Sequence, residues 1–295
     1  MTKYVAVPPT FRMSAIDRFT QQIVGPNGRP ADYSFVFDFS RLNFIDGAGF
    51  TVLSNTISWL QSFNVSISIA NFRDLRRQGI QYLDDCGLFE WLVGGRLDPS
   101  SRPRSTTLPC VSVETAKGFS WIENHLSPFL QYEIGASYAS LSSVRTCVKE
   151  LLNNISDHSA RDTGYVHAQH YPNIRKVNIT VSDFGVGIPT TIRNRFGEMS
   201  DAEAIRLACE EGVTSQSRPN NMGAGLNFLI DAITCDDGRV VIHSLKGNLV
   251  CKLEREKQVR HPSVGKGSYP GTLVDIELDT RLFEGDDEDR GVVEW

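Results

Sequence analysis

A chain of 295 residues is long enough to bury more than one core, so two domains are the natural expectation. Hydrophobic residues make up 40%, charged residues 22% and the formal net charge is -5, a balance that excludes wholesale disorder and leaves no general nucleic-acid footprint. The six cysteines include no CxxC pair and no histidine cluster nearby, so neither a disulfide framework nor a zinc site is expected.

The N-terminal stretch lacks the apolar core of a signal peptide, and no run approaches the roughly 20 apolar residues of a membrane span, which places the protein in the cytoplasm. Residues 33–45 alternate apolar and polar side chains and predict a strand ending at Asp46. Gly47 and Gly49 then allow a tight turn before Phe50, Leu53, Ile57 and Leu60, which recur at helical spacing. A second strand is predicted over 65–69 and a further helix over about 74–86, with the local basic patch Arg73, Arg76 and Arg77 as a solvated face. Pro, Ser, Thr and Arg crowd 94–109, so a first domain over 1–100 and a linker over 101–114 are expected. The second domain, 115–282, is predicted to hold a helix over 144–158, strands at about 163–169 and 176–182, and helices over 201–212 and 225–233. Strands at about 239–244, 248–254 and 272–278 and an acidic tail over 283–295 complete it. The fold class is thus α/β and α+β in two domains, a βαβα unit followed by a sandwich with helices on one sheet face.

Three segments carry candidate chemistry. Glu150, Asn154 and His158 stand four residues apart on one helix, within an arc of roughly 80°, where they either form a wet helix face or point into one site. An Asn oxygen is a hard neutral ligand suited to Mg, and a neighbouring Glu can orient or deprotonate an attacking group. His158 can touch phosphate or bond the carbonyls of its own helix end. Asp183, Gly185 and Gly187 follow a predicted strand. The glycines let a ligand approach the backbone, and a carboxylate there can accept from an exocyclic amine, although an ordinary glycine turn has the same pattern. Gly223 and Gly225 precede an apolar helix, whose unsatisfied N–H groups are natural phosphate ligands. The polar stretch before them, with Arg218, is either a mobile surface loop or a lid over nucleotide.

In this order, and followed by Pro270, Gly271 and Thr272 before a last strand, these segments resemble the nucleotide-binding boxes of the GHKL ATP-binding superfamily, which includes gyrase, histidine kinases and anti-sigma-factor serine kinases. The likeness spans about half the chain, and the spacing of Glu150, Asn154 and His158 is closest to the anti-sigma-factor kinase branch. It implies ATP and Mg as cofactors, Asn154 as the Mg ligand and Glu150 as the general base or the residue that positions the attacking group. It also implies Asp183 on the adenine amine, Gly187 lining the adenine pocket, Gly223 and Gly225 on phosphates, and Thr272 supporting the adenine through water. Ile155 stands where many members carry Ala and is expected to narrow or tilt the pocket.

The first domain looks like a STAS domain of anti-sigma-factor antagonists, on the run from Phe35 through Asp46 and Gly49 and on Tyr82 and Gly87. Antagonists carry a phosphorylatable Ser directly after the turn Asp. Gly47 occupies that place, so no phosphoacceptor is expected there.

Two functions follow from the likeness. One is an ATP-gated switch with slow or partner-stimulated hydrolysis, because efficient hydrolysis in that family draws a Lys from a following domain. The other is a serine/threonine kinase of a partner-switching system, with the STAS-like domain as docking or pseudosubstrate module. A non-catalytic nucleotide-binding module is a third reading. A protein partner is expected through the STAS-like domain or the lid, and a homodimer stays open. A histidine kinase is disfavoured because Pro128 follows His125, the lone candidate phosphoacceptor, and interrupts the helix it would need.

Overall fold

The computed structural model describes residues 2–159, 162–213 and 225–283. The N-terminal unit is built on a parallel three-stranded sheet of order β1-β3-β5, formed by β1 (Lys3–Ala6), β3 (Ser34–Asp38) and β5 (Ser66–Ala70). A short parallel pair, β2 (Thr10–Phe11) with β4 (Phe44–Ile45), sits beside it. The single strand predicted over 33–45 is therefore two pieces in different sheets, since the chain turns at Leu42, whose N–H bonds the Phe39 carbonyl. Helix α1 (Ile16–Thr20) precedes β3, and α2 (Gly47–Ser62) joins β4 to β5. The helix predicted over about 74–86 is α3 (Gln78–Asp85), and a second short helix that was not predicted, α4 (Leu88–Val93), follows it across Gly87 with φ +81°.

Asp46 starts α2 as an N-cap, its carboxylate accepting the Gly49 N–H at 2.9 Å. From Gly47 to Ile57 every residue of α2 is buried. A helix buried all round must be covered on both sides, and α2 is: Phe35 and Phe37 of its own sheet lie in the same core as Tyr269 and Leu273 from far along the chain.

Those two residues belong to the second sheet, antiparallel throughout, of order β6-β7-β8-β10-β9. Its strands are β6 (Thr107–Glu114), β7 (Thr163–Tyr171), β8 (Lys176–Ser182), β9 (Arg239–Glu254) and β10 (Lys257–Asp279). Thr107–Glu114 falls in the stretch expected to be linker and forms the edge strand of this sheet. The strands predicted at 239–244 and 248–254 are one, β9, which passes through Leu245 at φ 51° and pairs with β10 across register shifts. Among the helices, α5 (Gly118–Trp121) runs through a wide π turn at Ile122–Leu126 into α6 (Ser127–Ile134). The wide turn relieves the clash that Pro128 would make in a regular helix, so the helix continues through an exposed His125. Helices α7 (Ser142–His158), α8 (Ile188–Phe196), α9 (Asp201–Ala208) and α10 (Gly225–Thr234) follow.

The alternation along the strands assigns the two faces of this sheet. Val166, Ala168, Val177, Ile179, Val181, Val274 and Ile276 share a core with Val148, Leu151, Leu152 and Ile155 of α7 and with Leu229, Ile230 and Ile233 of α10. The residues between them, His167, Gln169, Thr180, Ser182 and Asp275, are also buried, on the face that α2 covers. Helices therefore cover both faces of this sheet, not one.

Candidate functional site

Helix α7 has three working faces. Its apolar stripe is in the core, including Ile155, whose Cδ1 fills the space left by Gly164: a Cβ at that glycine would lie 2.6 Å away. The bulk expected to narrow the pocket is taken up by the core. A second face lines a hollow of about 350 Å³ with Lys149, Asn153 and Ser156, opposite Thr115 and Phe119. On the third face Glu150 and Asn154 are half-buried, and the start of α10 comes down on them. A Cβ built on Gly225 would stand 3.7 Å from both Glu150 Oε2 and Asn154 Nδ2. Two segments separated by about 70 residues of chain thus bring a carboxylate, a carboxamide and a helix N-terminus together.

The other end of the site is built where β8 leaves the sheet. The Asp183 N–H donates to the Thr272 carbonyl at 2.9 Å, and its buried carboxylate accepts the Gly185 N–H at 2.6 Å. Gly185 packs so tightly on the end of α7 that a Cβ would lie 2.2 Å from the Ser159 carbonyl oxygen. Gly187, at φ +80°, faces Ser244, whose hydroxyl accepts the Ile188 N–H at 3.0 Å, donates to the Gly271 carbonyl at 2.7 Å and lies 3.1 Å from the Thr272 hydroxyl. Gly271, at φ +95°, lets β10 pass beneath Asp183. Asp183, Gly187 and Thr272 are therefore one cluster, joined to Glu150 and Asn154 through Gly185 and α7.

Ser244 was missed in the sequence because it is a polar residue inside a predicted strand. Nothing local marks it apart from neighbouring strand positions. His158 closes α7, but its side chain lies outside the described residues, as do Arg218, Gly223 and all of the acidic tail expected over 283–295 except Phe283, which is buried in the core.

The turn at Asp46 is pressed into the second sheet. A Cβ on Gly47 would lie 2.4 Å from Nδ1 of His167, which is fully buried, with its Nε2 2.9 Å from the Tyr82 hydroxyl. Burial pushes His167 down to about 3 and raises Asp46 to about 6. Asp275, on the same buried face, is pushed up to about 7 by burial, against the Thr180 hydroxyl that donates to it at 2.8 Å.

Asn154 offers Mg one neutral oxygen and Glu150 stands beside it. This suits an ion that keeps waters and takes its other ligands from phosphates, with no all-protein cage required. No helix among the described residues is long and apolar enough to cross a membrane.

No family model and no curated protein matches the sequence. Among solved structures the chain is similar to the 43K ATPase domain of Thermus thermophilus gyrase B in complex with an aminocoumarin, at 15% identity over 57% of this chain and 41% of that one, with a TM-score of 0.29. It is similar also to the topoisomerase IV ATP-binding domain of Francisella tularensis in complex with a small-molecule inhibitor, at 14% identity over 59% and 44%, with a TM-score of 0.27. The match thus spans less than half the length of each of these chains, and likeness of this extent leaves the chemistry of the site to be argued from its own residues.

Proposed function

We propose that the protein is a Mg-ATP-binding regulatory protein that acts as an ATP-gated switch, with slow or partner-stimulated hydrolysis. The observation that carries this reading is the approach of Gly225, at the start of α10, to both Glu150 and Asn154. A helix start supplies N–H groups and a positive dipole end for phosphate, Asn154 an oxygen for Mg, and Glu150 a base for water. When bound, Mg neutralises phosphate charge. Asp183, Gly187 and Thr272, with Ser244 behind them, form the end that takes the adenine, Asp183 accepting from its amine. A protein partner then reads the nucleotide state through the N-terminal unit or the polar segment that precedes Gly225 in the sequence. The buried turn at Gly47 favours the switch over a kinase that docks substrates through that turn, because the turn already faces His167.

The test is incubation with γ-labelled ATP and Mg, following bound nucleotide, free phosphate and protein-bound label. Glu150→Ala is expected to keep nucleotide affinity within a few-fold and to lose about 10²-fold or more of any turnover. Asn154→Ala is expected to lose Mg-dependent binding. Absence of ATP binding by the unmodified protein would refute the reading, and label transferred to a protein acceptor would convert it to a kinase.

A further inference from the structure

Asn55 lies midway along α2, 1% exposed, and its side chain leaves the N-terminal unit altogether. Its Nδ2 is 2.9 Å from the Asp183 carbonyl oxygen and 3.0 Å from the Ser182 hydroxyl, and it also meets the Tyr269 hydroxyl. A backbone carbonyl only accepts, so the end of the amide that faces Asp183 is the NH2. The other end, Oδ1, is buried and has no partner among the described residues. Leaving a buried acceptor unpaired is costly, and such local violations concentrate where a residue has a task beyond packing.

The contacts of Asn55 converge on the base end of the site. The Ser182 hydroxyl that accepts from Asn55 also lies 2.6 Å from the Tyr269 hydroxyl and donates to the Thr272 carbonyl at 3.1 Å. That same Thr272 carbonyl takes the Asp183 N–H at 2.9 Å. One amide from the first unit therefore ties the end of β8 to the middle of β10, at the residue whose carboxylate the Mg-ATP reading assigns to the adenine amine. With the peptide planes on both sides of Asp183 fixed and its Oδ1 tied to Gly185, little freedom remains in the direction of the carboxylate.

We propose that Asn55 is a positioning residue for nucleobase selection: through the Asp183 carbonyl and the Ser182 hydroxyl, the N-terminal unit holds the Asp183 carboxylate where it accepts from the 6-amino group of adenine. The inference rests on the Mg-ATP reading of the site. It also makes adenine binding and the docking of α2 mutually reinforcing, since coupling between two binding events is reciprocal.

The experiment compares equilibrium binding of ATP and inosine triphosphate, each with Mg, to the full chain and to Asn55→Ala, Tyr269→Phe and Leu53→Ala. Inosine triphosphate has a 6-oxo acceptor where ATP has the 6-amino donor, so the ratio of the two affinities reports the placement of the Asp183 carboxylate and not overall stability. The unmodified chain is expected to prefer ATP. Asn55→Ala is expected to lose about tenfold of that preference, the worth of one well-placed hydrogen bond. Tyr269→Phe keeps the ring and removes only the hydroxyl that braces the amide, so it gives a smaller loss in the same direction and decides the matter if Asn55→Ala does not fold. Leu53→Ala opens a cavity in the first core without touching Asp183, and should lower the unfolding midpoint while keeping the ratio. An unchanged ratio in Asn55→Ala, or in Tyr269→Phe where it alone folds, would overturn the positioning role, as would an equal loss in Leu53→Ala. If the unmodified chain binds neither nucleotide, the Mg-ATP reading itself fails, a result distinct from tight ATP binding that ignores Asn55.

Discussion

Gly47→Ala is the substitution that weighs the contact between the two halves of the molecule. The new Cβ would stand 2.4 Å from Nδ1 and 2.5 Å from Cε1 of His167, about 1 Å inside ordinary contact distance. The ring has nowhere to go. It is fully buried, its Nε2 is paired with the Tyr82 hydroxyl at 2.9 Å, and it meets Phe50 edge to face with centroids 5.9 Å apart. Backing α2 away would instead strain the Asp46 N–H bond to the Phe11 carbonyl and the Asn55 contacts further along the helix. Overpacking of this kind costs about 1–3 kcal/mol. The reduced freedom of Ala in the unfolded chain returns roughly 0.4–1 kcal/mol, so the net loss is on the order of 1–2 kcal/mol. Urea unfolding of the unmodified chain, Gly47→Ala, His167→Ala and the double variant, followed by the fluorescence of buried Trp59 on α2, measures it as a double-mutant cycle. With the ring gone the clash goes too, so Gly47→Ala should cost under about 0.5 kcal/mol in the His167→Ala background. Equal losses in both backgrounds, or none in the first, would refute the reasoning.

Asp275 has a carboxyl whose ordinary value, 3.8, rises to about 7 in the fold. The folded chain therefore keeps a proton that the unfolded chain has lost, and the ionisation penalty grows from about pH 4 to about pH 7 and stays constant above. Burial depresses His167 to about 3 and His243 to about 4, so these rings act in the opposite direction, raising stability as pH climbs toward 6.5. The difference between Asp275→Asn and the unmodified chain isolates the carboxyl. It should move in favour of the variant between pH 4 and 7, by on the order of 4 kcal/mol at most, and a flat difference in denaturant midpoints across that range would contradict it. Gly271→Ala meets both a φ of +95° and an Asp183 carbonyl oxygen 2.4 Å from the new Cβ. It should cost about 1–3 kcal/mol of stability and weaken ATP binding at least tenfold, which calorimetric titration checks.

The chain order of Glu150, Asn154, Asp183, Gly187, Gly225 and Thr272 was legible because each belongs to a local pattern: a helix face, a strand end, a glycine before a helix. Ser244 and Asn55 belong to none. Asn55 sits in a helix whose neighbours are nearly all buried, and its partners lie more than a hundred residues away. Thr107 and Pro109 sit among turn-forming residues and give the start of 107–114 the local signature of a linker, yet pairing with β7 overrides that local preference. The division of the strand over 33–45 was hidden for a similar reason. Apolar alternation continues through Phe39 and Leu42, although the chain there turns from one sheet to another.

The deepest omission concerns the far face of the second sheet. His167, Gln169, Thr180, Ser182 and Asp275 alternate with apolar neighbours, the pattern of a sheet with one wet face, and nothing in that alternation announces a cover. The cover reveals itself only from the other partner. A helix buried all round as α2 is, with Gly47, Ala48 and Gly49 in its first turn and Leu53, Ile57 and Leu60 beyond, has more surface to bury than its own three-stranded sheet can take. Once α2 lies on that face, the polar residues beneath it must find partners within the interface. Thr180 and Asp275 do, as do Gln169 and Thr107, at 2.7 Å. Among the described residues the atoms left without partners include Asn55 Oδ1 and His167 Nδ1, each on a residue at the contact between the two halves. Unpaired buried groups weaken an interface relative to an apolar one of equal shape, whereas the pairs that are made fix its register. The two halves are thus joined by directional hydrogen bonds as well as by a shared apolar core, and one set of those bonds runs to the strand end that carries Asp183.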